Sequence, residues 1–378
     1  MDTNLVARLR ELVELETPPG SAAHLTAGAD LLTAWGTRAL GREPRRVVVD
    51  GLPHLLWRAA DQRVLLLGHF DTVWPAGTLR DWPFRVSGTV ATGPGVCDMK
   101  SGIVQMLAAL AEVPDPSRVG LLLTCDEESG SPTSRPLIER EARRSGAVLV
   151  GEPSDPDGAL KVARKGGSAY RLTVHGRAAH AGVEPHRGVN AGVELAHQVL
   201  AVRRFADDAL QTTVTPTALS AGTTSNTVPE SATLAIDVRA WSTAELERVD
   251  RLIRALPARL DGARLTLDGG FNRHPLPIES SRELFALAQD AASDLGMAPL
   301  AGAWAPGASD ANFTAAVGAA TLDGLGGVGG GSHARSEYVD VSSMAPRARL
   351  LAGLVERLTH REPIGRTSAP AGARISTL

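Results

Sequence analysis

Short apolar runs in this chain repeatedly end at an acidic residue or a histidine. Residues 119–124 form the clearest run, and Asp126, Glu127 and Glu128 follow it after one cysteine. Four other apolar runs end in the same way, at His69, Asp98, Glu152 and His333. Amphipathic helices alternate with the runs, which predicts a largely parallel sheet. Such sheets bind ligands beyond the carboxyl ends of their strands, so these residues are candidates for one site.

Each of these residues also has an ordinary structural interpretation. An acidic cluster after a strand is usually a solvated loop. The run before Asp98 is rich in glycine, and the apolar residues after it have helical spacing. We therefore expect Asp98 to open that helix, where its carboxylate would also serve as a cap at the positive N-terminus. A shared site is favoured because five separate apolar runs all end at a residue that can bind a metal ion.

Composition favours an enzyme that acts on small molecules. The chain has 378 residues, of which 43% are hydrophobic, so it can form two domains with separate cores. A formal net charge of −3 provides no basic field that would attract nucleic acid or an anionic membrane. The first residues have no signal-peptide pattern and no apolar stretch is long enough to span a membrane, which predicts a cytoplasmic protein. The two cysteines, Cys97 and Cys125, are expected to be reduced.

The order of the predicted elements indicates an α/β protein with an inserted domain. Residues 1–164 and 272–361 alternate strands and helices, although the stretch after Asp71, rich in tryptophan, proline and glycine from Trp74 to Gly88, is expected to form a long irregular loop. Residues 165–271 have the order strand-helix-strand-strand-helix-strand, which is the split βαβ pattern of a ferredoxin-like sandwich. Residues 362–378 contain few large apolar groups and are expected to be a disordered tail.

The predicted topology of the inserted domain separates three of its polar residues. His180 lies in the loop after the first strand and Asn226 in the loop between the two middle strands, and both loops emerge at one end of the sheet. Arg239, at the far end of the third strand, lies at the opposite end. One domain cannot easily turn both ends toward the same site, whereas a twofold dimer lets each end serve a different site.

The polar residues at the strand ends have the composition of a site for two metal ions. Two imidazoles and three carboxylates are too many for one tetrahedral catalytic zinc, but they suit two metals if one carboxylate bridges, for which Asp98 is the candidate. A metal pair acidifies a shared water and polarises a carbonyl, as amide hydrolysis requires. Glu127 is left over as the general base. Asp71, two residues beyond His69, is expected to accept the other ring proton of that histidine.

Five motifs occur in order along the chain: Gly68-His69-Phe70-Asp71-Thr72-Val73, Gly93-Pro94-Gly95-Val96-Cys97-Asp98-Met99-Lys100, Asp126-Glu127-Glu128, Gly151-Glu152-Pro153 and Gly330-Gly331-Ser332-His333. Together they resemble the dizinc aminoacylase and glutamate carboxypeptidase family, which includes acetylornithine deacetylase and succinyl-diaminopimelate desuccinylase. The resemblance extends from about residue 60 to residue 345 and is greatest to the folate-cleaving glutamate carboxypeptidase branch. It implies a mainly parallel-sheet zinc-hydrolase domain and an inserted ferredoxin-like dimerisation (lid) domain.

The resemblance also implies individual roles. One zinc ion would be held by His69, Asp98 and Glu152, and the other by Asp98, Glu128 and His333, with Co²⁺ or Mn²⁺ as substitutes. The peptide bond after Asp98 would be cis. His180 matches a histidine that reaches the active site of a partner subunit in a homodimer, and Asn226 and Arg239 match residues that contact the substrate carboxylate and the oxyanion. Ser101 and Cys97 stand where the family commonly has glycine and alanine, and neither is a ligand.

Two other classes of protein are compatible with parts of the sequence. Residues 324–329 match the dinucleotide-binding pattern G-x-G-x-x-G, but no apolar helix follows them, which argues against an oxidoreductase. A non-catalytic metal-binding protein on the same fold would be expected to lack Glu127 or a ligand, and none is missing. We therefore expect a hydrolase that cleaves a dipeptide-like or N-acyl amino acid substrate next to a free carboxylate. The sequence does not distinguish a carboxypeptidase from an N-acetyl or N-succinyl amino-acid deacylase, and both activities stay open.

Overall fold

The computed structural model describes residues 2–365 and contains two compact units. The larger unit comprises the chain up to Ala163, Leu276–Ala305 and the chain from Ser309 onward, and the smaller unit comprises Arg164–Pro275 with Pro306–Ala308. Each unit has its own hydrophobic core. Residues 366–378 of the predicted tail lie outside the described residues.

The first part of the chain contains most of the larger unit's sheet. Its helices are α1 (Thr3–Glu14), α2 (Ala22–Leu40), α3 (Thr78–Asp81), α4 (Gly102–Glu112) and α5 (Arg135–Arg144). Its strands are β1 (Arg45–Val49), β2 (Leu52–Trp57), β3 (Val64–His69), β4 (Arg85–Ser87), β5 (Val90–Thr92), β6 (Val119–Thr124), β7 (Ala147–Val150) and β8 (Leu160–Arg164). Helical turns lie at Val96–Ser101, Pro116–Arg118 and Glu127–Ser129.

The smaller unit is an antiparallel sheet with two helices. Its elements are β9 (Gly166–His175), β10 (Ala179–His180), α6 (Ala191–Arg203), β11 (Thr213–Ala221), β12 (Thr227–Val228), β13 (Ser231–Ala240), α7 (Thr243–Arg254) and β14 (Arg264–Arg273), with a short turn at Pro185–Arg187. The strand order is β11-β13-β9-β14, which confirms the predicted ferredoxin-like order. Alternate residues of β13 are buried, so one face of the sheet packs against α6 and α7.

The chain then returns to the larger unit. The remaining elements are α8 (Ile278–Asp294), β15 (Gly302–Ala305), α9 (Ala311–Ala316), β16 (Thr321–Leu322), β17 (Gly329–Gly330), β18 (Tyr338–Asp340) and α10 (Met344–Thr359). The glycine-rich residues 324–329 lead into β17, and residues 323–343, all of them described, contain no helix. This is not the strand-turn-helix context of a dinucleotide-binding motif.

The main sheet of the larger unit is mostly parallel, as predicted. Its strand order among the described residues is β1-β2-β6-β3-β7-β16, with the last four strands parallel and β1 and β2 antiparallel at one edge. In β3, Val64 and Leu66 join one apolar cluster, while Leu65 and Leu67 join another on the opposite face. Helices therefore cover both faces, which explains why these strands are continuously apolar.

Two predictions about local structure were wrong. The loop after Asp71 is not wholly irregular, because it contains α3 and β4, and β4 pairs with β5, which in turn pairs with β18. Both strands are three residues long, and β18 lies far along the chain from β5, so no periodic pattern reveals this small sheet. Asp98 does not open a helix either, since α4 begins at Gly102 and Asp98 lies in the irregular turn before it, with extended φ and ψ angles of −106° and 96°.

Two further predictions concern the cysteines and the membrane. Cys97 and Cys125 are both buried and are not bonded to each other. Their reduced state stays a prediction. No helix in residues 2–365 is long and apolar enough to cross a membrane. The cytoplasmic location stays a prediction.

Candidate metal centre

The side chains of all five predicted ligands meet in the larger unit. Nε2 of His69 lies 3.4 Å from Oδ1 of Asp98 and 3.5 Å from Oε1 of Glu152. Nε2 of His333 lies 3.5 Å from Oδ2 of Asp98 and 3.2 Å from Oε2 of Glu128. Each imidazole therefore lies against two carboxylates. Asp98 faces both imidazoles and offers a different oxygen to each. One donor atom each of His69, Asp98 and Glu128 also lies within 4.8 Å of the others.

These distances fit metal coordination better than direct hydrogen bonding. Ligand bonds of about 2.0–2.1 Å to a tetrahedral zinc ion separate two donor atoms by about 3.3–3.4 Å. A charge-assisted hydrogen bond between an imidazole and a carboxylate would be shorter, at about 2.7–2.9 Å. The four imidazole–carboxylate separations span 3.2–3.5 Å. The mixed nitrogen and oxygen donors also suit zinc.

Parallel pairing of three strands brings most of these ligands together. His69 is the last residue of β3, which lies between β6 and β7 in the sheet. Glu128 lies in the turn beyond β6, and Glu152 follows β7 by two residues. The three side chains therefore leave adjacent strands at the same edge. A Cβ atom on Gly102 would lie 1.9 Å from the carbonyl oxygen of Gly151, so α4 can approach this edge only because residue 102 is glycine.

His333 reaches the site from a tight turn rather than from a strand of the main sheet. It follows β17, and its φ angle of 64° lies in the left-handed region, which is uncommon for a residue other than glycine. The Asp98–Met99 peptide bond is cis, which confirms the prediction made from the family resemblance.

Asp71 holds the backbone of the two adjacent glutamates. Its fully buried carboxylate accepts hydrogen bonds from the N–H groups of Glu127 at 3.3 Å and Glu128 at 3.0 Å. Nδ1 of His69 lies 3.1 Å from the carbonyl oxygen of Asp71 and 3.4 Å from its carboxylate. The nearer partner of the ring is thus the carbonyl, not the carboxylate that the sequence suggested. Both contacts fix the ring orientation and leave Nε2 for a metal.

The charged groups of the site perturb one another strongly. The carboxylates of Asp98 and Glu128, 3.5 and 3.2 Å from Nε2 of His333, raise the pKa of this histidine to about 10. Burial opposes protonation of His69, but its acidic neighbours, with Asp71 first, raise its pKa well above the ordinary value. Burial also opposes ionisation of Asp98, yet the two imidazoles hold its pKa far below the ordinary range. Burial raises the pKa of Glu128. The carboxylates thus favour positive charge on the imidazoles, as they would favour a bound cation.

Glu337 is a further residue of the site that no sequence motif predicted. Its carboxylate is fully buried and accepts four hydrogen bonds. Three come from backbone N–H groups, those of Gly95 at 3.0 Å, Cys97 at 2.8 Å and Asp98 at 3.0 Å. The fourth comes from the indole nitrogen of Trp74 at 3.3 Å. Burial raises the pKa of Glu337 to about 7, although the N–H donors oppose that shift.

No local pattern marks Glu337 in the sequence. It lies in a short polar segment, where an acidic residue is usually solvated. The usable signal was its position four residues after His333 and directly before a strand, although that position by itself would not have identified its partners.

The substrate residues predicted in the smaller unit fall at two ends of its sheet. His180 pairs with Thr227, and the N–H of Ala181 donates to the carbonyl of Asn226 at 2.9 Å, so His180 and Asn226 are neighbours. Arg239 pairs with Gly167, near the opposite end of the sheet. Asp237 binds the guanidinium of Arg239 through two short hydrogen bonds of 2.9 Å.

Comparison with known proteins identifies the class. Residues 65–357 match the profile of Peptidase family M20/M25/M40, so the chain belongs to this family and is a metal-dependent hydrolase of amide bonds. Carboxypeptidase G2 of Pseudomonas sp. (strain RS-16) is 32% identical over 374 residues, which cover 93% of this chain and 88% of that protein. The succinyl-diaminopimelate desuccinylase of Paracoccus denitrificans is 33% identical over 264 residues, which cover 62% of this chain and 67% of that protein.

Solved structures show the same fold. An M20 family metallo-carboxypeptidase from Sulfolobus solfataricus has a TM-score of 0.74 at 15% identity, with 95% of this chain and 99% of that chain covered. Aminopeptidase PepT from Bacillus cereus has a TM-score of 0.72 at 20% identity, with 94% and 98% covered. At these identities the two structures support the fold alone.

Proposed function

We propose that this protein is a dizinc hydrolase that cleaves a peptide or N-acyl bond next to a free carboxylate. The observation that carries the proposal is the position of Asp98, which offers one oxygen to each of the two imidazoles. His69, Asp98 and Glu152 would hold one ion, and Asp98, Glu128 and His333 would hold the other. The chemistry that a bound zinc pair supplies is a lowered pKa for a shared water and a polarised carbonyl.

The adjacent glutamates have separate tasks in this proposal. Asp71 accepts the backbone N–H groups of both and so holds the turn that carries them. Glu128 contributes a ligand. Glu127 is the general base, which takes a proton from the attacking water and passes it to the leaving nitrogen.

Substrate recognition is assigned to the smaller unit. Arg239 and Asn226 are proposed to contact the substrate carboxylate and the oxyanion. Asp237 supports this role for Arg239, because two hydrogen bonds orient a guanidinium that is still partly exposed. Similarity to carboxypeptidase G2 over nearly the whole chain favours a carboxypeptidase, and similarity to succinyl-diaminopimelate desuccinylase supports an N-acyl amino-acid deacylase as the second candidate.

We further propose a homodimer joined through the smaller units, in which His180 completes the active site of the partner subunit. The supporting observation is that β11 is an edge strand with no second partner within residues 2–365, and most of its side chains are exposed. Leu219 on this strand is exposed, as are Val193 and Leu200 on α6, which packs beside it. An exposed strand edge with apolar neighbours is a typical surface for strand pairing between subunits.

Metal content and substrate screening test the proposal. Elemental analysis should find two zinc ions per chain, exhaustive chelation should abolish activity, and Zn²⁺ or Co²⁺ should restore it. A screen of dipeptides, folate analogues, N-acyl amino acids and N-succinyl diamines should then show which amide bond has the higher kcat/KM. Full activity in exhaustively chelated protein would end the proposal.

A further inference from the structure

The Glu337 carboxylate connects the loop that carries Asp98 to the loop of Trp74. One oxygen, Oε1, accepts the N–H groups of Cys97 and Asp98. The other, Oε2, accepts the N–H of Gly95 and the indole N–H of Trp74. Because each oxygen holds two donors, both oxygens are needed to satisfy this loop, and a shorter or neutral side chain cannot replace the carboxylate fully.

The same residue belongs to the turn that carries His333. The N–H of Glu337 donates to the carbonyl of Ala334 at 2.9 Å, and the N–H of Ala334 donates to Gly331 at 2.9 Å. β18 begins directly after Glu337 and pairs with β17, which precedes the turn. The left-handed backbone of His333 is therefore enclosed by contacts on both sides, as an unfavourable conformation requires.

Glu337 thus touches the backbone of the bridging ligand and shares a compact turn with a second ligand. We propose that Glu337 is a positioning residue that sets the geometry of the metal pair by fixing the main chain at Asp98 and the turn of His333. This inference rests on the proposed two-metal function. Glu337 would fix two ligands of the ion assigned to Asp98, Glu128 and His333, namely Asp98 and His333. It would fix only Asp98 for the other ion, so the first ion should depend more strongly on Glu337.

Two variants separate the position of this carboxylate from its charge. Glu337→Gln keeps the length but places an amide NH₂ against N–H donors on one side. Glu337→Asp keeps the charge but is one methylene shorter, so it cannot reach both sets of donors. Each variant is expected to weaken binding of one Zn²⁺ roughly 10–100-fold, as the loss of a residue that orients a metal ligand typically does. Competition with a chromophoric chelator, well below the unfolding temperature, measures both affinities.

Cobalt spectra identify the ion that is affected. Co²⁺ added stepwise should give two spectral phases in the wild type. Glu128→Gln and Glu152→Gln each remove a ligand of a different ion and so identify the two phases. In both Glu337 variants, the weakened phase should be the one that Glu128→Gln removes. The matched control is Glu141→Gln. Glu141 lies on α5, and its buried carboxylate accepts a hydrogen bond from Arg58. This control should lower thermal stability without changing either affinity or the spectra.

The outcomes distinguish this inference from the function on which it rests. A wild type that binds no second metal ion refutes the two-metal function itself. A wild type that binds two ions, together with Glu337 variants that bind both equally well, overturns the role of Glu337 alone. Normal binding by Glu337→Asp and weak binding by Glu337→Gln would show that only the charge matters, which also overturns positioning. If neither variant folds, Trp74→Phe removes one donor, and an unchanged isotherm and cobalt spectrum in that variant refutes the proposal.

Discussion

The proposed metal ligands of the larger unit and the proposed substrate residues of the smaller unit are held in different ways. Asp71 holds the N–H of Glu127, 56 residues further on, and Glu337 holds the N–H of Asp98, 239 residues earlier. In the smaller unit, Nδ1 of exposed His180 accepts N–H groups only two and three residues away, and Arg239 is bound by Asp237, two residues before it.

The difference follows from what each set of residues must do. Clustered carboxylates repel one another, so ligands for a metal pair need a buried framework that holds them in place before an ion arrives. Residues that contact a substrate can be held locally and can adjust as the substrate binds.

The largest effect should come from the adjacent glutamates in the larger unit. Glu127→Gln should lower kcat by about 10²–10⁴ while both metal ions remain bound, because only the general base is lost. Glu128→Gln should instead lose one ion. Steady-state kinetics and metal analysis of the two variants decide the matter, and an exchange of the two phenotypes would reverse the assignment.

A subunit-mixing experiment tests whether His180 acts in its own chain or in the partner. Glu127→Ala and His180→Ala should each be nearly inactive alone. In their mixed dimer, one of the two sites combines an intact base with an intact partner histidine, so random reassortment should restore roughly a quarter of wild-type activity. If the mixture stays inactive after subunit exchange has been verified by mass spectrometry, His180 does not serve the partner site.

Arg239 should affect substrate affinity and not the metal ions. Arg239→Met should lower kcat/KM by roughly 10- to 150-fold, mainly through KM, because a charged hydrogen bond to a substrate carboxylate contributes about 1.5–3 kcal/mol. The matched control is Arg248→Met, which removes an arginine bound to Glu245 on α7 of the same unit. Loss of zinc from the Arg239 variant, or an equal effect in the control, would contradict the assignment.

The pH dependence of zinc binding should follow from the imidazoles. Because Asp98 and Glu128 raise the pKa of His333 to about 10, this ring carries a proton at neutral pH until a metal ion displaces it. Zinc affinity should therefore rise with pH, by up to about tenfold per pH unit for each proton released. Calorimetry in buffers of different ionisation enthalpy counts these protons, and binding without proton release would contradict the expectation.

The sequence predicted best those features that depend on the local spacing of apolar residues. The continuous apolar runs of β3, β6 and β7 predicted buried parallel strands, and the residues directly after them predicted the edge at which His69, Glu128 and Glu152 meet. The order of elements in the smaller unit predicted its ferredoxin-like topology. The cis bond after Asp98 came from the family resemblance and not from any local pattern.

The residue types at the strand ends, and the metal-dependent hydrolase that they indicate, can thus be predicted from the order of amino acids. How those residues are fixed depends on the folded chain. It moved Asp98 from the expected helix start into an irregular turn, paired β5 with a strand far along the chain, and turned Glu337 from an ordinary polar residue into the acceptor of four donors. The physical reason is that periodicity records which face of an element is buried. It does not record hydrogen bonds between loops more than 200 residues apart, because these depend on where the folded chain brings each loop.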